Sequence, residues 1–187
     1  MSAPRLVVLA GPNGAGKSTY YRAYLKESGL MYLNADDIAA KLGLSVGESA
    51  RTADAVRTEL LDSGESFITE TVFSDPVGAK LQFMKDAIAK GYHVTLIYIG
   101  LDCSELSEAR VVQRVESGGH DVPSERLPRR YAQSLINLRA AMDFVPIVRV
   151  FDNSDAEDPF RYVLQINDGL KLDQVAQLPR WLAGALH

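Results

Sequence analysis

Residues 5–18 constrain this chain more than any other stretch. An apolar run, Arg5 to Ala10 (RLVVLA), passes directly into Gly11-Pro12-Asn13-Gly14-Ala15-Gly16-Lys17-Ser18 and then into a segment of helical character. A near-continuous apolar run is what a strand needs when both its faces are covered, so it belongs at the centre of a parallel sheet. The residues after it fit G-x-x-x-x-G-K-[ST] at every fixed position, which random composition achieves in roughly one chain of this length in a hundred. The strand before and the helix after make coincidence rarer still. Glycines let the backbone wrap with its N–H groups inward, and the dipole of the following helix adds positive potential, so the loop suits a polyphosphate. Lys17 then supplies a point charge for the β and γ phosphates, and Ser18 a hydroxyl for Mg²⁺, a hard cation that takes few protein ligands. Thr19 is either structural or an α-phosphate contact. The candidate cofactor-binding set is therefore Gly11, Pro12, Asn13, Gly14, Ala15, Gly16, Lys17, Ser18 and Thr19. As a loop residue, Lys17 is expected to be exposed.

The rest of the chain repeats the alternation of strand and helix. Buried-strand runs recur at Leu30 to Leu33, Ser66 to Thr69, His93 to Ile99 and Ile147 to Phe151, and such spacing means βαβ crossovers. Asp75 followed by Pro76 reads as an N-cap with Pro at the first helical position, and Val77, Leu81, Met84 and Ile88 then form an apolar stripe closed by Gly91. A second stripe runs from Ala53 through Val56, Leu60 and Leu61 to Gly64. Asp102 or Ser104 caps a helix reaching Ser117, where Gly118-Gly119 breaks it. Tyr131, Leu135, Leu138 and Met142 mark another helix beyond Pro128, and the chain ends in an edge strand or hairpin over 160–166 and a helix over 173–186. With 187 residues, 47% apolar and 24% charged, the composition is that of a single globular α/β domain spanning 1–187. The expected fold class is a P-loop NTPase-type three-layer sandwich with a mainly parallel sheet and a helical lid at about 110–130.

Open α/β sheets bind ligands at the carboxyl edge. Asn34-Ala35-Asp36-Asp37 stands there after the second strand, and a carboxylate beside a γ-phosphate can accept the proton of an attacking hydroxyl. Either Asp36 or Asp37 suits that role, although Asn34 or Asp36 could instead cap the next helix. Glu70, with Thr71 beside it, ends the third strand at the same edge and is a candidate contact for substrate or a metal-bound water. Arg110 and Arg114 share a helix face, and Arg126, Arg129 and Arg130 follow the glycine break. Arginines on both sides of a hinge describe a lid that closes on phosphates and stabilises the transferring charge. His120, within the hinge, is a candidate lid or substrate contact. No metal-binding His/Cys spacing occurs, and Cys103, the single cysteine, lacks any sign of an activated thiolate.

Together, GPNGAGKST, LNADDIA, FITETVFS, GYHVTLIYIGLD, RVVQRVESGGHDVP and RRYAQSLINL, in this order and spacing from residue 5 to about 154, resemble the zeta-toxin family of P-loop kinases. The resemblance implies phosphorylation of the amino-sugar hydroxyl of UDP-N-acetylglucosamine by ATP or GTP with Mg²⁺, and an antitoxin as protein partner. It implies Lys17 as the phosphate lysine, Asp36 as general base, Glu70 as the strand-end acid near substrate, and Arg114 as a lid arginine. Arg130 takes its place in the catalytic set because it stands before Tyr131 in a block that resembles compact family members. Connections here are short where the well-studied toxins carry further substrate-binding segments.

The expected function is thus an ATP-dependent small-molecule kinase acting on a sugar or nucleotide-sugar hydroxyl. The alternative is a nucleotide-binding ATPase or switch that acts through a protein partner, for which an acceptor-facing Asp36 would be superfluous. A polynucleotide kinase is disfavoured: the formal charge is −4, and phosphate backbones are bound by clustered cations and stacking aromatics. No membrane segment is expected, and a lone cysteine fits the cytoplasm.

Overall fold

The computed structural model describes residues 3–116 and 123–186. One seven-stranded sheet, ordered β2-β3-β1-β4-β5-β6-β7, runs through it. Its strands are β1 (Arg5–Ala10), β2 (Met31–Leu33), β3 (Phe67–Thr71), β4 (His93–Gly100), β5 (Ile147–Asp152), β6 (Arg161–Asn167) and β7 (Leu170–Gln174). The first five are parallel, whereas β6 and β7 close the far side as an antiparallel hairpin. The helices are α1 (Lys17–Tyr20, continued by a π-helical turn Tyr21–Leu25), α2 (Ala35–Leu42), α3 (Val46–Asp62), α4 (Ala79–Ala89), α5 (Ser104–Glu116), α6 (Leu127–Met142) and α7 (Arg180–Leu186).

Both faces of β1 and β4 are apolar, as parallel strands require. Leu6, Val8, Val94, Leu96 and Tyr98 pack on one side with Leu60 and Leu61 of α3, Met84 of α4, Leu138 of α6 and Trp181 of α7. Leu9, Ile97 and Ile99 pack on the other with Ala15, Tyr20 and, at the edge, Leu106 of α5. Two apolar layers around one sheet make the three-layer α/β sandwich of the P-loop NTPase type, and each buried aliphatic side chain contributes about 1.5–3 kcal/mol to it. Among the described residues, no helix is long and apolar enough to cross a membrane.

Three element boundaries differ from the sequence expectation. The Asp75-Pro76 pair does not open α4, which starts at Ala79 behind Gly78 in the left-handed conformation. Asp75 still serves the helix, its carboxylate accepting the Lys80 N–H at 3.1 Å, while Val77 is solvent-exposed. Helix α3 starts ahead of the Ala53 stripe because Ser45 and Glu48 form a reciprocal capping box, a device that stabilises a helix start by about 1 kcal/mol. At the carboxyl end, 170–174 pairs as β7 and only 180–186 is helical. Exposed Leu170 and Leu172, two apart on one face, are a strand period in a stretch to which the sequence expectation gave no element.

Candidate functional site

Register decides what stands beside the glycine loop. Leu9 pairs with Glu70 and Ala10 with Thr71, so Glu70 is level with the last residues of β1. On its other side Leu33 pairs with Thr69, which brings Asn34 and the start of α2 to the same edge.

The loop itself is shaped by two close approaches. Gly11 has φ +145°, and a Cβ there would stand 2.1 Å from the carbonyl oxygen of Ile99; at Gly16, φ +87°, a Cβ would stand 2.7 Å from Nδ2 of Asn153. Only glycine satisfies either position. Asn153 holds the loop from the end of β5: its Nδ2 donates to the Ala15 carbonyl at 2.9 Å, and its Oδ1 accepts the Phe160 N–H at 3.2 Å. Ser107 of α5 donates to the Asn13 carbonyl at 2.6 Å. The Oδ1 of Asn13 is buried with no hydrogen-bond partner among the described residues.

Lys17 is buried, contrary to the expected exposed loop lysine, because it is the first residue of α1 and folds under the loop. Its Nζ donates to the carbonyls of Gly11 and Pro12, each at 3.0 Å, and lies 3.9 Å from Glu70 Oε1. Burial pushes the Lys17 ammonium below its ordinary pKa; the charges of Glu70 and Asp36 oppose this, and that of Arg114 adds to it. Ser18 Oγ donates to Glu70 Oε2 at 3.0 Å. Pro12 is buried beside it, whereas Thr19 is exposed on α1.

Beside the loop opens a cavity of about 670 Å³ lined by Asn13, Asp36, Glu70, Thr71, Arg114 and Arg130, among others. Asn34, and not Asp36, caps α2: its Oδ1 accepts the Asp36 N–H at 2.8 Å. Both Asp36 and Asp37 therefore fall in the first helical turn. Of the two, Asp36 lines the cavity. Arg130 senses it electrostatically: burial and the neighbouring Arg126 push the guanidinium below its ordinary range, and Asp36 opposes them. Arg110 and Arg114 part company. Arg110 donates to the carbonyls of Asn153 at 2.7 Å and Ser154 at 3.4 Å, so it braces the loop after β5 instead of serving the lid, while Arg114 faces the cavity. His120 and the Gly118-Gly119 hinge lie outside the described residues.

Several residues that hold this wall carry no local signal. Arg57 of α3 is buried; its Nε donates to Thr69 Oγ1 at 2.6 Å, and it pairs with Asp54, which Lys80 also reaches at 2.5 Å. Phe73 has φ +61°, a conformation costing about 1–3 kcal/mol unless its surroundings enforce it. Here Thr71 Oγ1 accepts its N–H at 3.0 Å, and Asn137 Nδ2 donates to the carbonyls of Phe73 at 2.9 Å and Asp75 at 3.0 Å. A polar residue on the apolar stripe of α6 was the available clue to Asn137. Tyr32, whose hydroxyl donates to Glu70 Oε2, was readable only as strand.

A family model described as an AAA domain matches residues 6–133. The chain belongs to that family. An uncharacterized protein of Haemophilus influenzae is 29% identical over 132 residues, which are 68% of this chain and 92% of the relative. Among solved structures, one chain of the native AvrRxo1-ORF1:ORF2 complex superposes with a TM-score of 0.73 at 18% identity, over 98% of this chain and 63% of its own. The PezAT chromosomal toxin-antitoxin system of Streptococcus pneumoniae gives 0.65 at 17% identity, over 100% and 78%. The AAA-domain chain described here thus spans 60–63% of the AvrRxo1 chains it matches. Its fold is the zeta-toxin-like P-loop kinase fold that its motifs imply.

Proposed function

We propose that this protein transfers the γ-phosphoryl group of ATP or GTP to a hydroxyl of a small molecule, a sugar or nucleotide-sugar of the UDP-N-acetylglucosamine kind. One observation carries the reading: a single cavity joins the Asp36 carboxylate to Arg114, Arg130 and the Glu70 edge of the P-loop. A nucleotide switch has no use for a carboxylate facing such a cavity beside the P-loop. Arg126 and Arg129 on the same wall favour an acceptor that carries negative charge, which a nucleotide-sugar does and a free hexosamine does not.

In this reading the acceptor hydroxyl loses its proton to Asp36 as its oxygen bonds to the γ-phosphorus, and the bond from that phosphorus to the β,γ-bridging oxygen breaks, leaving the nucleoside diphosphate. Lys17 takes up charge on the bridging and γ oxygens, and Arg114 and Arg130 take up charge on the transferring group. The oxygen donors at Ser18 and Glu70, 3.0 Å apart, fit a hard divalent cation, and Ser18 would hold Mg²⁺. When bound, Mg²⁺ neutralises phosphate charge. Thr71 and His120 complete the proposed acceptor contacts, and Thr19 with the rest of the loop the proposed nucleotide contacts. The whole chain acts as one domain, with 110–130 as its lid. A cytoplasmic location and an antitoxin partner belong to the same proposal; the toxin-antitoxin description of the PezAT neighbour supports the latter.

The test is to incubate the protein with labelled ATP and a panel of UDP-sugars, free amino sugars, nucleosides and nucleic acid. Labelled product is expected with a UDP-sugar. ATP consumed with no labelled acceptor in any lane would put the switch reading first.

Arg114→Ala and Arg130→Ala are expected to lower kcat by about tenfold to a hundredfold while leaving nucleotide Kd within about threefold, because lid arginines meet the phosphoryl group fully only in the transition state. Steady-state kinetics beside calorimetric titration of ADP separate the two quantities. Equal losses in kcat and Kd would make them ground-state binders.

A further inference from the structure

We propose that Tyr32 and Asn34 are positioning residues that hold Glu70 and Asp36 in one fixed relation across the nucleotide and acceptor sides of the site. The inference rests on the phosphoryl-transfer reading above and adds to it a pair of residues that the sequence did not single out for this role.

The connection is continuous. Asn34 Oδ1 accepts the Asp36 N–H at 2.8 Å, fixing the first turn of α2 and with it the base. Asn34 Nδ2 donates to the Tyr32 hydroxyl oxygen at 3.2 Å. Tyr32 O–H donates to Glu70 Oε2, and the same oxygen accepts from Ser18 Oγ at 3.0 Å. One chain of donors and acceptors thus runs from the helix that carries Asp36 to the P-loop serine, and each link polarises the next. Its orientation is single-valued. Ionised Glu70 can only accept, so Tyr32 must give it the proton, and the free lone pairs of Tyr32 are what the Asn34 amide can meet. The amide is then forced to turn its oxygen to the Asp36 N–H.

The tyrosine ring is as constrained as its hydroxyl. Tyr21 stacks on it with centroids 3.6 Å apart and planes at 7°. Tyr21 belongs to the π-helical turn that continues α1, so the ring that orients Glu70 is clamped to the helix following the phosphate loop. A carboxylate between Ser18 and Lys17 that could swing would alter the oxygen donors presented to Mg²⁺; Tyr32 removes that freedom.

Tyr32→Phe keeps the ring stack and deletes the hydroxyl. The first readout needs no acceptor: ADP affinity is titrated calorimetrically with and without Mg²⁺, and the ratio of the two constants measures the metal's contribution. We expect that ratio to fall about tenfold to a hundredfold in Tyr32→Phe, the scale of one hydrogen bond to a charged group, with metal-free ADP affinity unchanged. A purely structural role would weaken both constants together. The second readout is a double-mutant cycle: Tyr32→Phe should lower kcat about tenfold in the parent and have little further effect in Glu70→Gln, because the tyrosine acts through that carboxylate. Asn34→Asp is the companion variant. It retains an oxygen to cap α2 but takes away the donor to Tyr32, and is expected to lower kcat in the same direction. An unchanged Mg²⁺ ratio in Tyr32→Phe, an equal loss in both constants, or additivity with Glu70→Gln would each overturn the proposal. If no acceptor in the panel is phosphorylated, the kinase reading fails, while the ADP titrations still decide whether Tyr32 positions Glu70.

Discussion

Lys17→Ala is expected to abolish phosphoryl transfer and to weaken ATP·Mg²⁺ binding by about tenfold to a hundredfold, the worth of a charge-assisted hydrogen bond of about 1.5–3 kcal/mol. The substitution also reaches the fold. The ammonium occupies the carbonyls of Gly11 and Pro12 in a buried position, and leaving such groups without a donor costs about 1–3 kcal/mol. For a domain of this size that is a fall in Tm of a few degrees. The far-ultraviolet spectrum should be unchanged, since the strand pairings of the sheet and its two apolar layers are made by other residues. Calorimetric titration and a melting curve on the same sample separate the two effects. Parent-like ATP affinity in a folded Lys17→Ala protein would remove the P-loop assignment, because Lys17 is the lysine that stands under the loop.

What could be read from the chain alone was contiguous or periodic. The strand-to-glycine-loop junction occupies consecutive residues, so its conformation and chemistry appear together. Strands β1 and β4 announce themselves because a strand covered on both faces is nearly all apolar, and β3 and β5 do so through shorter apolar runs. Local signals misled where two structures share one signature. Asp75-Pro76 has the composition of a helix start, yet the chain first makes a turn, through Phe73 with φ +61° and Gly78, before α4 begins. Strand β7 was missed and α7 begun too early for a similar reason, since a short polar strand carries little more signal than a frayed helix. The site residues divide along the same line. Asp36 and Arg130 stand near the starts of α2 and α6, Glu70 and Arg114 near the ends of β3 and α5, and all four line one cavity.

Long-range pairings were invisible. Arg57 with Thr69, Asn137 with the Phe73 carbonyl, and Asn153 with the Ala15 carbonyl join residues whose partners are set by sheet order and helix packing. Nothing within ten or so neighbours of each residue records them. Lys17 was misjudged as exposed for that reason too: its burial depends on how the loop wraps and on Glu70 arriving from β3. Arg110 and Arg114 show the limit of face-sharing as an argument. One turn of α5 separates them, and that turn carries one toward the loop after β5 and the other toward the cavity.

Asp36→Asn is expected to lower phosphorylation of the acceptor by about 10² or more, the usual worth of a positioned base, with nucleotide affinity nearly unchanged. Asparagine keeps the shape and lacks the proton acceptor. The helix should survive it, because the cap belongs to Asn34 through the Asp36 backbone N–H, which the substitution leaves in place. Some helix stability is lost with the charge, since a carboxylate in the first turn interacts favourably with the dipole by about 0.3–1 kcal/mol. Asp37→Asn is the control. It removes the same dipole interaction from the same turn, but Asp37 does not line the cavity, so it should lose that stability and keep its turnover. Product formation and nucleotide-analogue affinity, measured for both variants side by side, therefore separate charge at a helix start from proton transfer. Loss only in Asp37→Asn would shift the base by one residue around the turn. Full activity in both would remove general-base catalysis by either carboxylate and leave phosphoryl transfer to positioning and charge stabilisation alone.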